Sequence, residues 1–270
     1  MLNNIQDYIL DNIRNLKLYD NNDVVVITDR KLNHLFKDVN IIIINIEDLI
    51  PDYETFSIEL KNTFRNGFWQ LTSYRFLALY EYMKQFNIQN IIHIENDVLI
   101  YKNIDTINFH NKNKLLLTMD SMNRCIPGIM FIPNDEILKK CIDKFDPLQN
   151  DMINFSTCYH NLGNYIDTLP IFIEDNTSNV TNMLTKNFKY YNGIFDAAAI
   201  GQYLGGVDSR NIPGNTVGFV NETCTIDYSK YNFIWKIENN HSIPYIIINN
   251  TEYPVINLHL HCKNLNKFIF

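Results

Sequence analysis

The triplet Glu95-Asn96-Asp97 is the strongest chemical signal in the chain. In an extended segment the side chains of Glu95 and Asp97 leave the same face, because the strand period is two. Together they offer a pair of hard oxygen donors to a divalent cation. The triplet interrupts an apolar run, with Asn90-Ile91-Ile92-His93-Ile94 before it and Val98-Leu99-Ile100-Tyr101 after it. Two carboxylates in such a place are costly unless a cation or hydrogen-bond donors compensate them. The competing reading is a strand that simply reaches solvent at Glu95; the return of apolar residues at Val98 tells against it.

A second group lies near the end of the chain, where His259 and His261 are followed by Lys263. On a strand both histidines share a face with Val255 and Asn257, while Ile256, Leu258 and Leu260 face the core. A His-x-His strand can supply one or two metal ligands, and a nearby Lys can serve as a point charge for phosphate. The alternative is a pair of partly exposed surface histidines. Asp196 precedes Ala197-Ala198-Ala199 and a run closed by Gly205-Gly206, which suits a helix N-cap and C-cap. That capping role is a sufficient explanation in itself; the small alanines also permit close approach of another body, so the edge of a substrate pocket is the alternative place for Asp196. Arg75 sits among Tyr74, Phe76, Leu77 and Leu79, where a guanidinium must find an acceptor or reach out to solvent. Thr28-Asp29-Arg30 close the first apolar run, at the strand end where open α/β sheets bind ligands.

The elements that must position these residues alternate between strand and helix. Residues 24–29 and 40–45 are short β-branched runs of the kind buried on both faces of a parallel sheet. Helical spacing appears over 7–18, through Ile9, Ile13 and Leu16, and over 68–86. One strand interrupted by the acidic cluster is predicted over 90–101, further strands at 115–118 and 128–132, and a helix at 134–145 after Pro133. Further on come a helix at 197–204, a strand at Trp235, a hairpin near 245–253 and a strand at 255–261. The predicted class is α/β, with a mostly parallel central sheet flanked by helices.

The 270 residues contain no linker or repeat, so a single domain over 1–270 is expected. Lys and Arg number 23 against 30 Asp and Glu, and the net charge of -7 has the wrong sign for a protein that neutralises many nucleic-acid phosphates. Small phosphorylated ligands bridged by a divalent cation remain compatible with it. The absence of GxGxxG, GxxxxGK[ST] and GxSxG removes the dinucleotide, P-loop and α/β-hydrolase fingerprints. Five scattered cysteines show no zinc spacing, residues 1–7 have neither a basic nor an apolar leader region, and no stretch matches an apolar membrane span. A soluble, cytoplasmic protein without an integral membrane segment is expected.

Four ordered segments resemble GT-A type, nucleotide-sugar-dependent glycosyltransferases. Leu71 to Tyr80 followed by Ile92 to Leu99 looks like an Arg-bearing helix that precedes a DXD-bearing strand. Gly128 to Ile132 looks like the following glycine-led strand, and His261 with Lys263 looks like a C-terminal His and phosphate-contacting Lys. The Asn- and Ile-rich composition is similar to that of such enzymes from large DNA viruses, which would place the protein in host cytoplasm. The motif departs from the family in reading Glu-Asn-Asp.

The resemblance implies a GT-A-like, Rossmann-like domain, with a nucleotide-sugar half over about 1–120 and an acceptor half over about 121–270. It implies Mn2+ or Mg2+ held by Asp97, Glu95 and His261 or His259. Thr28, Asp29, Arg30, Arg75, Glu95, Asn96 and Lys263 would contact the nucleotide. The implied function is transfer of a sugar from a nucleoside diphosphate sugar, a UDP-sugar first, to a hydroxyl of a glycan or protein, with Asp196 as the catalytic base if the reaction inverts. The rivals are a sugar-1-phosphate nucleotidyltransferase and a non-catalytic carbohydrate-binding protein on the same scaffold.

Overall fold

The computed structural model describes residues 6, 8–19, 22–50, 68–174 and 179–269. Most of the leader region considered above, residues 1–5 and 7, lies outside the described residues. In chain order the elements are helix α1 (Tyr8–Tyr19), strands β1 (Val25–Thr28) and β2 (Ile42–Asn45), a single turn α2 (Ile46–Leu49), and the long helix α3 (Phe68–Phe86). There follow β3 (Ile91–Ile94), β4 (Val98–Ile100), β5 (Leu115–Ser121), β6 (Arg124–Ile132), α4 (Asp135–Ile142), α5 (Asp151–Asn161) and β7 (Ile166–Leu169). The last third holds α6 (Asn179–Thr185), α7 (Phe188–Tyr191), β8 (Ile194–Phe195), α8 (Ile200–Gly205), β9 (Asn232–Glu238), β10 (His241–Ile248) and β11 (Thr251–His259).

Among the described residues the strands form three sheets: a β1-β2 pair, a four-stranded sheet in the order β3-β6-β5-β7, and a sheet in the order β4-β11-β10-β9 with β8 alongside β11. Among the described residues only β1/β2, β5/β7 and β8/β11 are parallel; the other five pairings are antiparallel. The fold is therefore mixed α/β with largely antiparallel sheets, which corrects the expected mostly parallel, Rossmann-like sheet. The physical reason is connection length. Strands buried on both faces read alike whichever way they run, whereas residues 122–123 alone join β5 to β6, far short of the dozen or so residues that a parallel crossover needs. The apolar runs at 115–118 and 128–132 belong to longer strands whose inner ends meet in this hairpin.

Two-residue turns build the C-terminal meander in the same way. Asn239-Asn240 joins β9 to β10, and Asn249-Asn250 joins β10 to β11, with φ of 49°, 65°, 50° and 60°. Both central residues of such turns need the left-handed region, which asparagine tolerates better than other residues with a Cβ.

The main core fills the space between β5/β6 and helices α3, α4 and α5. Leu115, Leu117, Met130 and Ile132 pack with Phe76, Met83, Leu138, Cys141 and Phe155. Phe76 and Phe155 meet edge-on at 4.6 Å. A second cluster on the opposite face includes Leu116, Phe131, Phe195 and Ile256, with Phe109 stacked on Phe131 at 4.8 Å. All five cysteines are free. Among the described residues no helix is long and apolar enough to cross a membrane.

From β3 of one larger sheet to β4 of the other the chain has only residues 95–97: it leaves β3 at Ile94 and enters β4 at Val98. The acidic triplet is thus a turn between sheets rather than an extended stretch within one strand.

Two measurements check these features. Asn250→Val should destabilise the fold by about 1–2 kcal/mol in urea denaturation, the cost of holding an ordinary L-residue left-handed, while Asn250→Gly should not. On β7, burial works against the charge of Asp167, but His110, Lys186 at 2.6 Å and the Thr168 N–H outweigh it and hold the carboxyl below its usual range. A carboxyl lowered in the folded state adds stability above its unfolded pKa, near 3.9, and loses it as pH falls. Lys186→Met should therefore flatten the loss of stability below about pH 4; an unchanged acid limb would remove Lys186 from that role.

Candidate metal centre

The site is built first from backbone. The Glu95 N–H donates to the carbonyl of Gly128 on β6 (2.9 Å), the Val98 N–H donates to the Glu95 carbonyl (3.0 Å), and the Leu260 N–H donates to the Asp97 carbonyl (2.8 Å). The side chain of Asn12, buried on α1, donates to the carbonyls of Glu95 (3.0 Å), Asn96 (2.8 Å) and Val98 (3.0 Å). One helical turn later, the Asn15 side chain accepts from the Ile100 N–H (2.9 Å). His259 enters from β11, where it pairs with Val98.

Space for the imidazole comes from a missing side chain. Residues 127–129 have no counterpart on β5, so β6 bulges there, as strands often do where a side chain must be re-aimed. A Cβ on Gly128 would lie 2.6 Å from Nδ1 and 3.0 Å from Cε1 of His259. Behind the ring, a Cβ on Gly201 would lie 2.1 Å from the His259 carbonyl oxygen.

Glu95, Asp97 and His259 each offer one ligand atom, and these atoms lie within 4.8 Å of one another. His259 Nε2 is 3.2 Å from Glu95 Oε2 and 3.5 Å from Asp97 Oδ1. Arg75 on α3 reaches Glu95 Oε1 at 2.5 Å and Asp151, the first residue of α5, at 2.7 Å. Lys263 makes an ion pair with Asp97. The Lys263 backbone is left-handed (φ 60°), and its ammonium lies 5.6 Å from the centre of the Tyr8 ring.

Each perturbed group balances burial against its neighbours. Burial opposes the charge of Glu95, yet Arg75 and His259 hold its carboxyl far below the usual range. Burial likewise opposes the charge of Asp97, and His259 and Lys263 outweigh it. Burial alone would lower His259, but Asp97 and Glu95 raise it to about 10. His261 goes the other way, pushed down to about 3 by burial and by the charge of His259. The cluster of two oxygens and one nitrogen can coordinate a divalent cation that displaces the proton Asp97 and Glu95 hold on His259, because metal ligands of this kind are carboxylates and neutral imidazole.

The other residues singled out by sequence take different places. His261 lies beyond the end of β11, so it does not share a strand face with His259; its ring meets His259 edge-on at 4.9 Å, and its Nδ1 is 2.7 Å from Gln202 Nε2. The Asn96 side chain is exposed, and only its carbonyl joins the framework through Asn12. Thr28 pairs with Asn45 in the small sheet, Asp29 precedes the short helical turn Arg30–Phe36, and Arg30 pairs with Asp48 while its N–H donates to Glu47. Asp196 is 1% exposed and accepts N–H bonds from Ala199, Ile200, Gly201 and His259 at 2.8, 2.9, 2.8 and 2.8 Å. Helix α8 starts after Ala199, later than expected, and Ala198 before it is left-handed (φ 59°). Asp196 thus ties the start of α8 to the backbone of His259. Sequence reasoning missed Asn12 and Asp151; the one available signal was a polar residue beside Ile9 and Ile13 on the helical face read as buried.

Comparisons with protein-family models, curated proteins and solved structures returned no match. The resemblance to GT-A glycosyltransferases is thereby corrected. It rested on four short segments in order, and those segments sit in largely antiparallel sheets instead of the parallel Rossmann-like sheet it implied. The glycosyltransferase activity, the UDP-sugar donor, the DXD-type assignment and the two rivals drawn on similar nucleotide-handling scaffolds are withdrawn with it.

Gly128→Ala should cost about 1–3 kcal/mol through overpacking against His259. In a His259→Ala background the same substitution should cost clearly less, because the obstructing ring is gone. Equal costs in both backgrounds, measured by urea denaturation, would show that the ring is not what Gly128 accommodates.

Proposed function

We propose that this chain is a divalent-cation-binding protein that takes Mn2+ through Glu95, Asp97 and His259. The observation that carries this reading is the convergence of one nitrogen and two oxygen donors within 4.8 Å, at the turn between two sheets. An imidazole nitrogen in the set favours Mn2+ or Zn2+ over Mg2+ and Ca2+, which prefer all-oxygen shells; two carboxylates favour Mn2+. Three protein ligands leave positions of a six-coordinate ion open to water or to a small oxygen ligand. Lys263 and Arg75 flank those ligands as internal cations, and Lys263 must yield part of its hold on Asp97 when a metal arrives.

One observation favours a second reading. Arg75, Lys263 and protonated His259 match Glu95, Asp97 and Asp151 charge for charge. Such a balanced network can act purely as an ionic joint between the sheets.

Titration of metal-stripped protein with Mn2+, followed by calorimetry and by thermal unfolding, separates the two. With Mn2+ at about 100 times its dissociation constant, unfolding should become about 2.7 kcal/mol harder, and Asp97→Asn should abolish the gain. Absence of binding at millimolar Mn2+ in folded protein, with Asp97→Asn still destabilising, would favour the ionic joint.

A further inference from the structure

We infer that Asn12 is a positioning residue of the metal centre: its side-chain amide sets the directions in which Glu95 and Asp97 leave the backbone. This rests on the reading of Glu95, Asp97 and His259 as a cation site. The turn has few means of holding its shape. Its other backbone anchors are Glu95 N–H to Gly128, Val98 N–H to Glu95, and Leu260 N–H to the carbonyl of Asp97. Arg75, His259 and Lys263 hold the two carboxylate side chains, and the further hold on the turn's backbone is Asn12, whose single Nδ2 faces the carbonyl oxygens of Glu95, Asn96 and Val98 at 3.0, 2.8 and 3.0 Å.

Three carbonyl dipoles converging on one point repel one another unless a donor sits there. Without it the peptide planes on both sides of Asn96 and the one after Val98 would swing apart. The first two planes lie between the Cα atoms of Glu95 and Asp97, so their rotation re-aims both carboxylates. Burial of Asn12 adds a second observation. The residue is 4% exposed, and its Oδ1 is buried with no hydrogen-bond partner among the described residues. An unsatisfied buried oxygen is unfavourable for folding, so the amide is poorly explained by stability alone. Ligand-orienting groups of this kind typically change metal affinity 10- to 100-fold when removed.

Asn15 supplies an internal control. It lies on the same helix, is equally buried, and bonds the Ile100 N–H three residues beyond the ligand turn. Metal-stripped wild type, Asn12→Ala, Asn12→Ser and Asn15→Ala would be titrated with Mn2+ by calorimetry, with unfolding midpoints recorded in the absence of metal. The Ser variant keeps one small donor should the Ala variant fail to fold. Asn12→Ala should bind Mn2+ at least 10-fold more weakly and Asn12→Ser should fall between it and wild type. Asn15→Ala should lose midpoint yet bind within about twofold of wild type, and the electron paramagnetic resonance spectrum of bound Mn2+ should change only in the Asn12 variants. Wild-type affinity and spectrum in folded Asn12 variants would overturn the positioning role while leaving the cation site intact. Failure of wild type to bind Mn2+ would overturn the cation site itself, and the positioning role with it.

Discussion

Burying the carboxylates of Glu95 and Asp97 at the seam between two sheets is the constraint that organises this molecule. Neither could stay ionised there alone, and each must be met by positive charge or by donors. The compensating groups come from distant parts of the chain: Arg75 from the long helix α3, His259 from the end of β11, and Lys263 from the turn beyond it. Asp151 at the start of α5 then shares Arg75 with Glu95, which carries the network into the main helical layer. Removing any one member strands another as an uncompensated buried charge, so the seam and the two sheets are held by the same balance.

The neutral framework around these charges is equally specific. His259 stands where two glycines leave room: Gly128 in front of the ring and Gly201 behind the carbonyl. Asp196 takes the N–H of His259 together with three N–H groups at the start of α8, and Asn257 exchanges hydrogen bonds with the backbone of Asp196. A fully buried carboxylate with four backbone donors is well placed to fix a strand end. It explains why a polar residue occupies the core beside Phe195 and Ala197.

Much of this was legible in the sequence, in a form that follows from the strength of each signal. The α3 helix reads end to end because its periodic pattern is long, and the paired acids of 95–97 stand out because they interrupt an apolar run. Strand direction was not legible. Burial on both faces erases the alternation that would mark an antiparallel sheet, and with strands read only over 115–118 and 128–132 the tight link at Met122 and Asn123, which carries no glycine or proline, stood unmarked in the stretch between them. The reach of Asn12 to a turn more than eighty residues away leaves no local trace beyond a polar residue on the helical face of Ile9 and Ile13, which does not say what it bonds. His261 was paired with His259 on the assumption that the strand continued, whereas β11 stops at His259.

The corners of the chain have a consequence of their own. Among the described residues, seven of the nine non-glycine positions with positive φ are asparagine, including both two-residue turns of the meander, while the whole chain has only nine glycines. Glycine would enter these corners with less strain, but it also leaves the unfolded chain freer and so raises the entropy that folding must remove. Asparagine reaches the same backbone geometry while restricting the denatured ensemble. An asparagine-rich composition that looks featureless in sequence thus narrows the range of shapes from which this chain folds.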